Sequence, residues 1–239
     1  MDEFYDAFAA DYHLAYGGRW DEAVERQVRA LDELIHGAVD VLDCSCGIGT
    51  QAIGLALRGY RVVGTDASAG AIERARAEAA RLGAPVDFAV ADVRDLSGVG
   101  GEFDAVISCD NALPHLLDPA DVVRALGQMR AKLREGGVAV VTMRDFDAAL
   151  RDKPPVAPTV RVGDRVLVRL HEWDGDEYTV RYVILTDRDG SWDVAEHRTR
   201  YRAITRSELQ QAARSAGFAD ASWSDHAVVG GQLTFVARA

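Results

Sequence analysis

A chain of 239 residues is long enough to bury a sizeable core, and its 48% hydrophobic content is that of an ordinary globular protein. Asp and Glu outnumber Lys and Arg by 38 to 27, for a net charge of −11, which argues against nucleic acid as a partner because polyanions are held by a basic face. No run reaches the roughly 18 to 20 apolar residues that span a bilayer, and the acidic start MDEFYDAF is unlike a signal peptide, so a cytoplasmic chain with no membrane partner is expected.

Residues up to about Ile35 read as helices: Ala23, Gln27 and Ala30 with Val24, Val28, Leu31, Leu34 and Ile35 make an apolar stripe at helical spacing. This segment, residues 1–36, is expected to form an N-terminal helical cap. The stretch Val41 to Thr50, VLDCSCGIGT, then reads as a buried strand and a small-residue turn that opens a helix, and RVVGTD is a second strand ending at Asp66. Gly47 and Gly49 let the backbone bend tightly and approach a ligand, and the helix start offers unpaired N–H groups. Asp66 is positioned to accept both hydroxyls of a ribose, so an adenosine-bearing cofactor is expected. Gly47, Gly49 and Ala52 also satisfy the dinucleotide pattern G-x-G-x-x-A, which brings a nicotinamide enzyme into consideration.

A third strand, VDFAVADVRDL, carries Asp92 beside Val93; a fourth is FDAVISCDNALPHL and a fifth GGVAVVTMRDF. Helices at Gln51 to Arg58, Ala69 to Leu82 and Ala120 to Arg134 alternate with them, the last closed by Gly136 and Gly137. Alternating strands and helices predict a parallel sheet covered on both faces. Cys44, Cys46 and Cys109 fall on strand ends and turns where small side chains fit, and C-S-C lacks the gap of a zinc knuckle, so no metal is expected. After Asp147 the proline-rich KPPVAP introduces three alternating stretches, TVRVGDRVLVRLHEW, EYTVRYVILTDRDG and SWDVAEHRTRYRAI, which read as an antiparallel meander. Thr205 and Glu208 form a capping box for a helix to about Ala216, and ASWSDHA and QLTFVAR would finish the main sheet with one antiparallel strand.

Asp43, the glycines, Asp66 and Asp92, in that order, resemble the successive cofactor motifs of class I S-adenosylmethionine-dependent methyltransferases, and the resemblance covers nearly the whole chain. The resemblance implies a doubly wound, Rossmann-like seven-stranded α/β sheet with an antiparallel β insertion after the fifth strand. Its core would be 37–150 and 203–239, with 151–202 as the insertion. In that family the second acidic residue holds the ribose and the third motif's Asp takes the adenine amino group. Tyr16, Arg26, Cys44, Ser45, Gly47, Asp66, Ala67, Asp92, Val93 and Cys109 are therefore expected to hold S-adenosyl-L-methionine, with Tyr16 and Arg26 near its methionine end. A nicotinamide dehydrogenase fits less well, since the glycine turn follows a helical cap and no separate catalytic domain comes after it.

The ligand of an open α/β sheet lies beyond the carboxyl ends of its strands. There the segments CDNALPHL and MRDFD are similar to the matching stretches of glycine N-methyltransferase and its sarcosine and dimethylglycine relatives. The resemblance implies that Asn111 orients an amino-acid substrate and Arg144 grips its carboxylate, with Tyr182 and Tyr201 near the methyl group or substrate. Arg144 suits that role independently, because its planar fork takes a carboxylate bidentately; the alternative is an ion pair with Asp145, Asp147 or Asp110. His115 is the nearest candidate base by sequence, or else bonds backbone. The expected partner is a small-molecule substrate, and self-association into a homo-oligomer is compatible with the chain. An O-methyltransferase, or a methyltransferase of a larger natural product, is the competing reading.

Overall fold

The computed structural model describes residues 2–239. Its N-terminal segment forms α1 (Asp2–Phe8), a 3-10 turn at Tyr12–Tyr16 and α2 (Trp20–Leu34). The stripe of α2 is buried at Ala23, Val24, Gln27, Val28 and Leu31, while Glu22, Glu25, Arg26 and Arg29 between them face solvent.

Strand and helix then alternate: β1 (Asp40–Asp43), α3 (Thr50–Leu57), β2 (Arg61–Asp66), α4 (Ala69–Leu82), β3 (Val86–Val90), β4 (Phe103–Ser108), α5 (Pro119–Ala131), β5 (Leu133–Arg144) and α6 (Phe146–Asp152). An antiparallel block comes next, β6 (Val160–Val162), β7 (Arg165–Asp174), β8 (Glu177–Arg188) and β9 (Ser191–Arg202). The chain ends with α7 (Arg206–Ser215), β10 (Asp220–Ser224) and β11 (Gln232–Arg238).

The main sheet has seven strands in the order β10-β11-β5-β4-β1-β2-β3. β1 to β5 pair in parallel, and β11 runs antiparallel between β5 and β10. The strand order reverses between β1 and β4, which opens a crevice at their carboxyl ends. The expected α/β architecture with its antiparallel addition is thus what forms.

Two local expectations are corrected. Gly136 and Gly137 do not close a helix; they bulge inside β5, where pairing jumps from Phe103↔Leu133 to Ala105↔Val138. A Cβ on Gly137 would stand 2.9 Å from the Arg134 carbonyl oxygen and 3.1 Å from that of Asp104, so the bulge needs glycine. The first stretch of the meander is itself a hairpin, because Gly163 takes φ +59° and turns β6 back onto β7, making the second sheet four-stranded.

That second sheet turns one face inward. Leu167, Tyr178, Val180, Tyr182, Ile184 and Tyr201 join Leu42, Val106 and Val141 of the main sheet and Phe4 and Phe8 of α1 in one continuous core. The strand period of two leaves Arg169 and His171 on the inner row with Leu167.

Candidate active site

The turn after β1 is built by backbone pairing that continues past the strand. Cys44 N–H donates to the Ile107 carbonyl and Cys46 N–H to that of Thr65, each at 2.9 Å. Gly47 and Gly49 sit at φ +51° and +89°, and a Cβ on Gly49 would stand 2.7 Å from Ile53 Cδ1. Asp66 faces this turn from the end of β2, its Oδ2 accepting Gly47 N–H at 2.9 Å and its Oδ1 accepting Ser68 N–H at 3.0 Å. Asp43 is fully buried, and desolvation pushes its carboxyl up to about 8, so it is largely protonated at neutral pH. The three cysteines are buried and free, and burial holds their thiols well above the usual range, so they pack rather than react.

These elements frame a cleft enclosing ≈ 700 Å³ including its open mouth. Tyr16, Cys44, Ser45, Gly47, Asp66, Ala67, Asp92, Val93 and Cys109 all line it, as does His115. Arg26 does not: it is exposed on α2 and lines a neighbouring cleft. Asp92 is held by Arg94, whose Nη2 donates to its Oδ2 at 2.5 Å and which also reaches Asp121 at 2.8 Å; that guanidinium keeps the Asp92 carboxyl below its ordinary range. Tyr5 and Tyr12 also line the cleft; Tyr12 lies in the N-terminal segment that the resemblance places over the cofactor, while nothing in the sequence marked Tyr5. Tyr5 lies on α1 and Tyr12 on the 3-10 turn, so no single helical period in the sequence links them.

The contents of this cleft fit a nucleoside with a methionine tail. The glycine turn can lie against a ligand without a side chain between, a carboxylate is fixed at the end of β2, and Val93 and Leu116 supply apolar walls. S-adenosylmethionine would be held by Asp66, the turn from Cys44 to Gly47, and Asp92 with Val93.

The second cleft opens beside the first and brings together Asn111, Arg144, Tyr182 and Tyr201. Asp110 and Asn111 both take positive φ, 61° and 70°, a costly pair for non-glycine residues. β5 holds them there: Asp110 N–H donates to Thr142 Oγ1 at 2.8 Å, Asn111 N–H to the Thr142 carbonyl at 3.1 Å, and Arg144 N–H to Asn111 Oδ1 at 3.1 Å. The Asn111 oxygen is therefore used as a tie for the loop. Asp110 accepts Tyr16 Oη at 2.5 Å and Gln232 Nε2 at 2.9 Å.

The Arg144 guanidinium is half-buried, and its hydrogen bond goes to Tyr178 Oη at 3.4 Å. Among the described residues no carboxylate pairs with it; Asp145 and Asp147 are turned to Arg206 instead. Tyr178 stacks between Trp173 at 4.3 Å and Tyr201 at 5.3 Å, making an aromatic wall, and its place opposite Tyr201 across β8 and β9 was not evident from sequence. His115 lies against Tyr201 with both ring nitrogens engaged, Nε2 with Tyr5 Oη at 2.7 Å and Nδ1 with the Arg200 carbonyl at 3.2 Å. Burial lowers its pKa to about 3, against a smaller opposing pull from that carbonyl, so it stands neutral.

Comparison with known proteins agrees with this geometry. Residues 41–137 match a family model described as a methyltransferase domain. A glycine/sarcosine N-methyltransferase of Parasynechococcus marenigrum is 32% identical over 154 residues, 61% of this chain and 55% of that protein. A ubiquinone biosynthesis O-methyltransferase of Methylocella silvestris is 39% identical over 98 residues, 41% of this chain and 37% of that protein. The chain thus spans 55% and 37% of the length of these two curated relatives. The solved structure of S-adenosylmethionine-bound CalS10, an amino pentose methyltransferase from Micromonospora echinaspora, superposes with TM-score 0.74 at 25% identity, covering 95% of both chains. The fold is that of class I S-adenosylmethionine-dependent methyltransferases, residues 41–137 match a methyltransferase domain, and the chain resembles the glycine/sarcosine N-methyltransferase group.

Proposed function

We propose that the protein transfers a methyl group from S-adenosylmethionine to the nitrogen of a small amine that carries a carboxylate, and that Arg144 grips the carboxylate. The observation that carries this reading is the half-buried Arg144 guanidinium without a carboxylate partner among the described residues, at the carboxyl edge of the sheet beside the cofactor cleft. A desolvated cation without an anion is costly, and an incoming carboxylate relieves that cost. The relatedness to glycine/sarcosine N-methyltransferases supports the same acceptor class.

When bound, S-adenosylmethionine supplies a methyl group already activated on a sulfonium, so the protein's share of the work is positioning and exclusion of water. Arg144 fixes the acceptor at one end, and Asn111 fixes the loop and the Arg144 backbone. Tyr182 and Tyr201 line the cleft, and Tyr178 stacks on Tyr201. His115 is a poor base: burial lowers its proton affinity, with a pKa of about 3, and its Nε2 already faces the Tyr5 hydroxyl. The acceptor amine is therefore expected to lose its proton to solvent before it is enclosed.

A second reading, an amino sugar or other larger amine as acceptor, is favoured by the likeness to CalS10 over nearly the full chain. Calorimetric titration with S-adenosylmethionine and with NAD, followed by a methyl-transfer screen over glycine, sarcosine, dimethylglycine and amino sugars, separates the two. Turnover on carboxylated amines, lost in Arg144→Ala through an acceptor KM raised by about 30-fold or more (~2 kcal/mol) with cofactor affinity retained, supports the proposal. Turnover on amino sugars alone overturns it, and binding of NAD alone overturns the cofactor.

A further inference from the structure

The second cleft holds more positive charge than one carboxylate uses. Arg19, Arg26, Arg144, Arg161 and Arg169 line it against the single carboxylate of Asp110, in a chain whose net charge is −11. Arg19, Arg26 and Arg161 are exposed at the rim, where solvent screens them. Arg169 is different.

It sits half-buried on the inner row of β7, directly across from Tyr182 of β8. One of its guanidinium nitrogens, Nη2, donates to the Pro158 carbonyl at 3.2 Å, while its buried Nε has no partner among the described residues. Burial and the neighbouring Arg144 charge both work against its protonated form, while Tyr182, Tyr201 and Asp110 favour it. Asp110 is already engaged by Tyr16 and Gln232. Two guanidiniums thus share one desolvated cleft without a carboxylate between them, an arrangement that is unfavourable until anions arrive.

We propose that the methyl acceptor carries two anionic groups, a carboxylate held by Arg144 and a second carboxylate or phosphate held by Arg169, so that amino dicarboxylates and phosphorylated amino acids form its class. This rests on the reading of the acceptor as a carboxylated amine. The rim arginines draw such an anion toward the cleft through an otherwise acidic surface. The rival arrangement, both arginines on one carboxylate, predicts no benefit from a second charge.

The test uses two near-isosteric charge pairs, aspartate against asparagine and glutamate against glutamine, and a phosphate pair, O-phosphoserine against serine, each assayed at saturating S-adenosylmethionine. At least one charged member is expected to exceed its neutral mate in kcat/KM by about tenfold or more, mainly through KM. Arg169→Gln is expected to bring that ratio close to one, and Arg169→Lys to keep part of it. Calorimetry of both variants with S-adenosylmethionine checks that they fold and that Arg169 does not serve the cofactor. The proposal is overturned if neutral members match their charged mates, or if Arg169→Gln weakens cofactor binding as much as acceptor use. Methylation of glycine or serine without preference for the dianions would sink the second anion alone. No methylation of any carboxylated amine, with cofactor bound, sinks the underlying reading as well.

Discussion

Asp66 does two things with one carboxylate. It accepts the Gly47 and Ser68 N–H groups, which sets the turn after β1, and it faces the cleft that fits the cofactor. Asp66→Ala is expected to lower S-adenosylmethionine affinity by about tenfold or more and stability by ~1–2 kcal/mol, since backbone donors lose their acceptor. Asp66→Asn keeps an acceptor oxygen and should recover part of the stability but little of the affinity; unchanged calorimetric affinity in both variants removes Asp66 from the cofactor site. His115 and Asp43 give opposite pH dependences. The His115 value of about 3 lies below the ordinary ~6.5, so between those pH values the unfolded chain binds a proton that the folded chain refuses, and stability falls as pH falls through that window. The Asp43 value of about 8 lies above the ordinary ~3.9, so the unfolded chain gives up its proton first, and stability falls as pH rises from ~4 to ~8. Urea unfolding at intervals from pH 4 to 8 is expected to show a flatter acid limb in His115→Asn and a flatter neutral limb in Asp43→Asn. Slopes equal to the parent's in both variants would assign the dependence elsewhere.

At the scale of elements, the close seating of α3 on α2 depends on Gly54. A Cβ there would stand 2.3 Å from Val28 Cγ2 and 2.8 Å from Val24 Cγ1, and both valines are buried. Ala would add about 1 kcal/mol of helix propensity, yet overpacking of ~1–3 kcal/mol in a rigid seam outweighs it. Gly54→Ala is therefore expected to lower the urea midpoint and, because Trp20 Nε1 bonds Thr50 Oγ1 and Thr50 bonds Tyr16, to loosen the cofactor cleft as well. A raised midpoint would mean that α2 shifts freely. Much of the element level was legible. The helix Ala69–Leu82 has the bounds read from its sequence, and the Thr205 and Glu208 capping box forms with both its bonds. What was misread lay where glycine serves a partner strand: Gly137 yields to the Asp104 carbonyl of β4, and the Gly163 turn is recognised only once β6 has β7 to pair with. Neither partner is local in sequence.

Over the whole molecule, the core runs without a break from α1 through the main sheet into the inner face of the second sheet, by way of Phe4, Leu42, Val106, Tyr178 and Tyr182. A shared core predicts one cooperative calorimetric unfolding transition; two separated transitions would show that the second sheet folds alone. S-adenosylmethionine at a hundred times its Kd should add ~2.7 kcal/mol, raising Tm by about 5–10 °C for a chain of this size. Among the described residues no helix is long and apolar enough to cross a membrane. The sequence by itself determined the order of strands and helices, the glycine turn facing Asp66, and the strand-end residues from Cys44 to Gly47, at Asp66 and at Asp92 that line part of the first cleft, because period, turn chemistry and strand ends are local properties. Only the tertiary structure decided that Tyr5 and Tyr12 close that cleft, that Arg26 belongs to its neighbour, that His115 is held neutral between Tyr5 and Arg200, and that Arg169 lies near Arg144. Each of those depends on which face of a distant strand or helix turns inward, and burial, charge pairing and protonation follow from that packing rather than from neighbours along the chain.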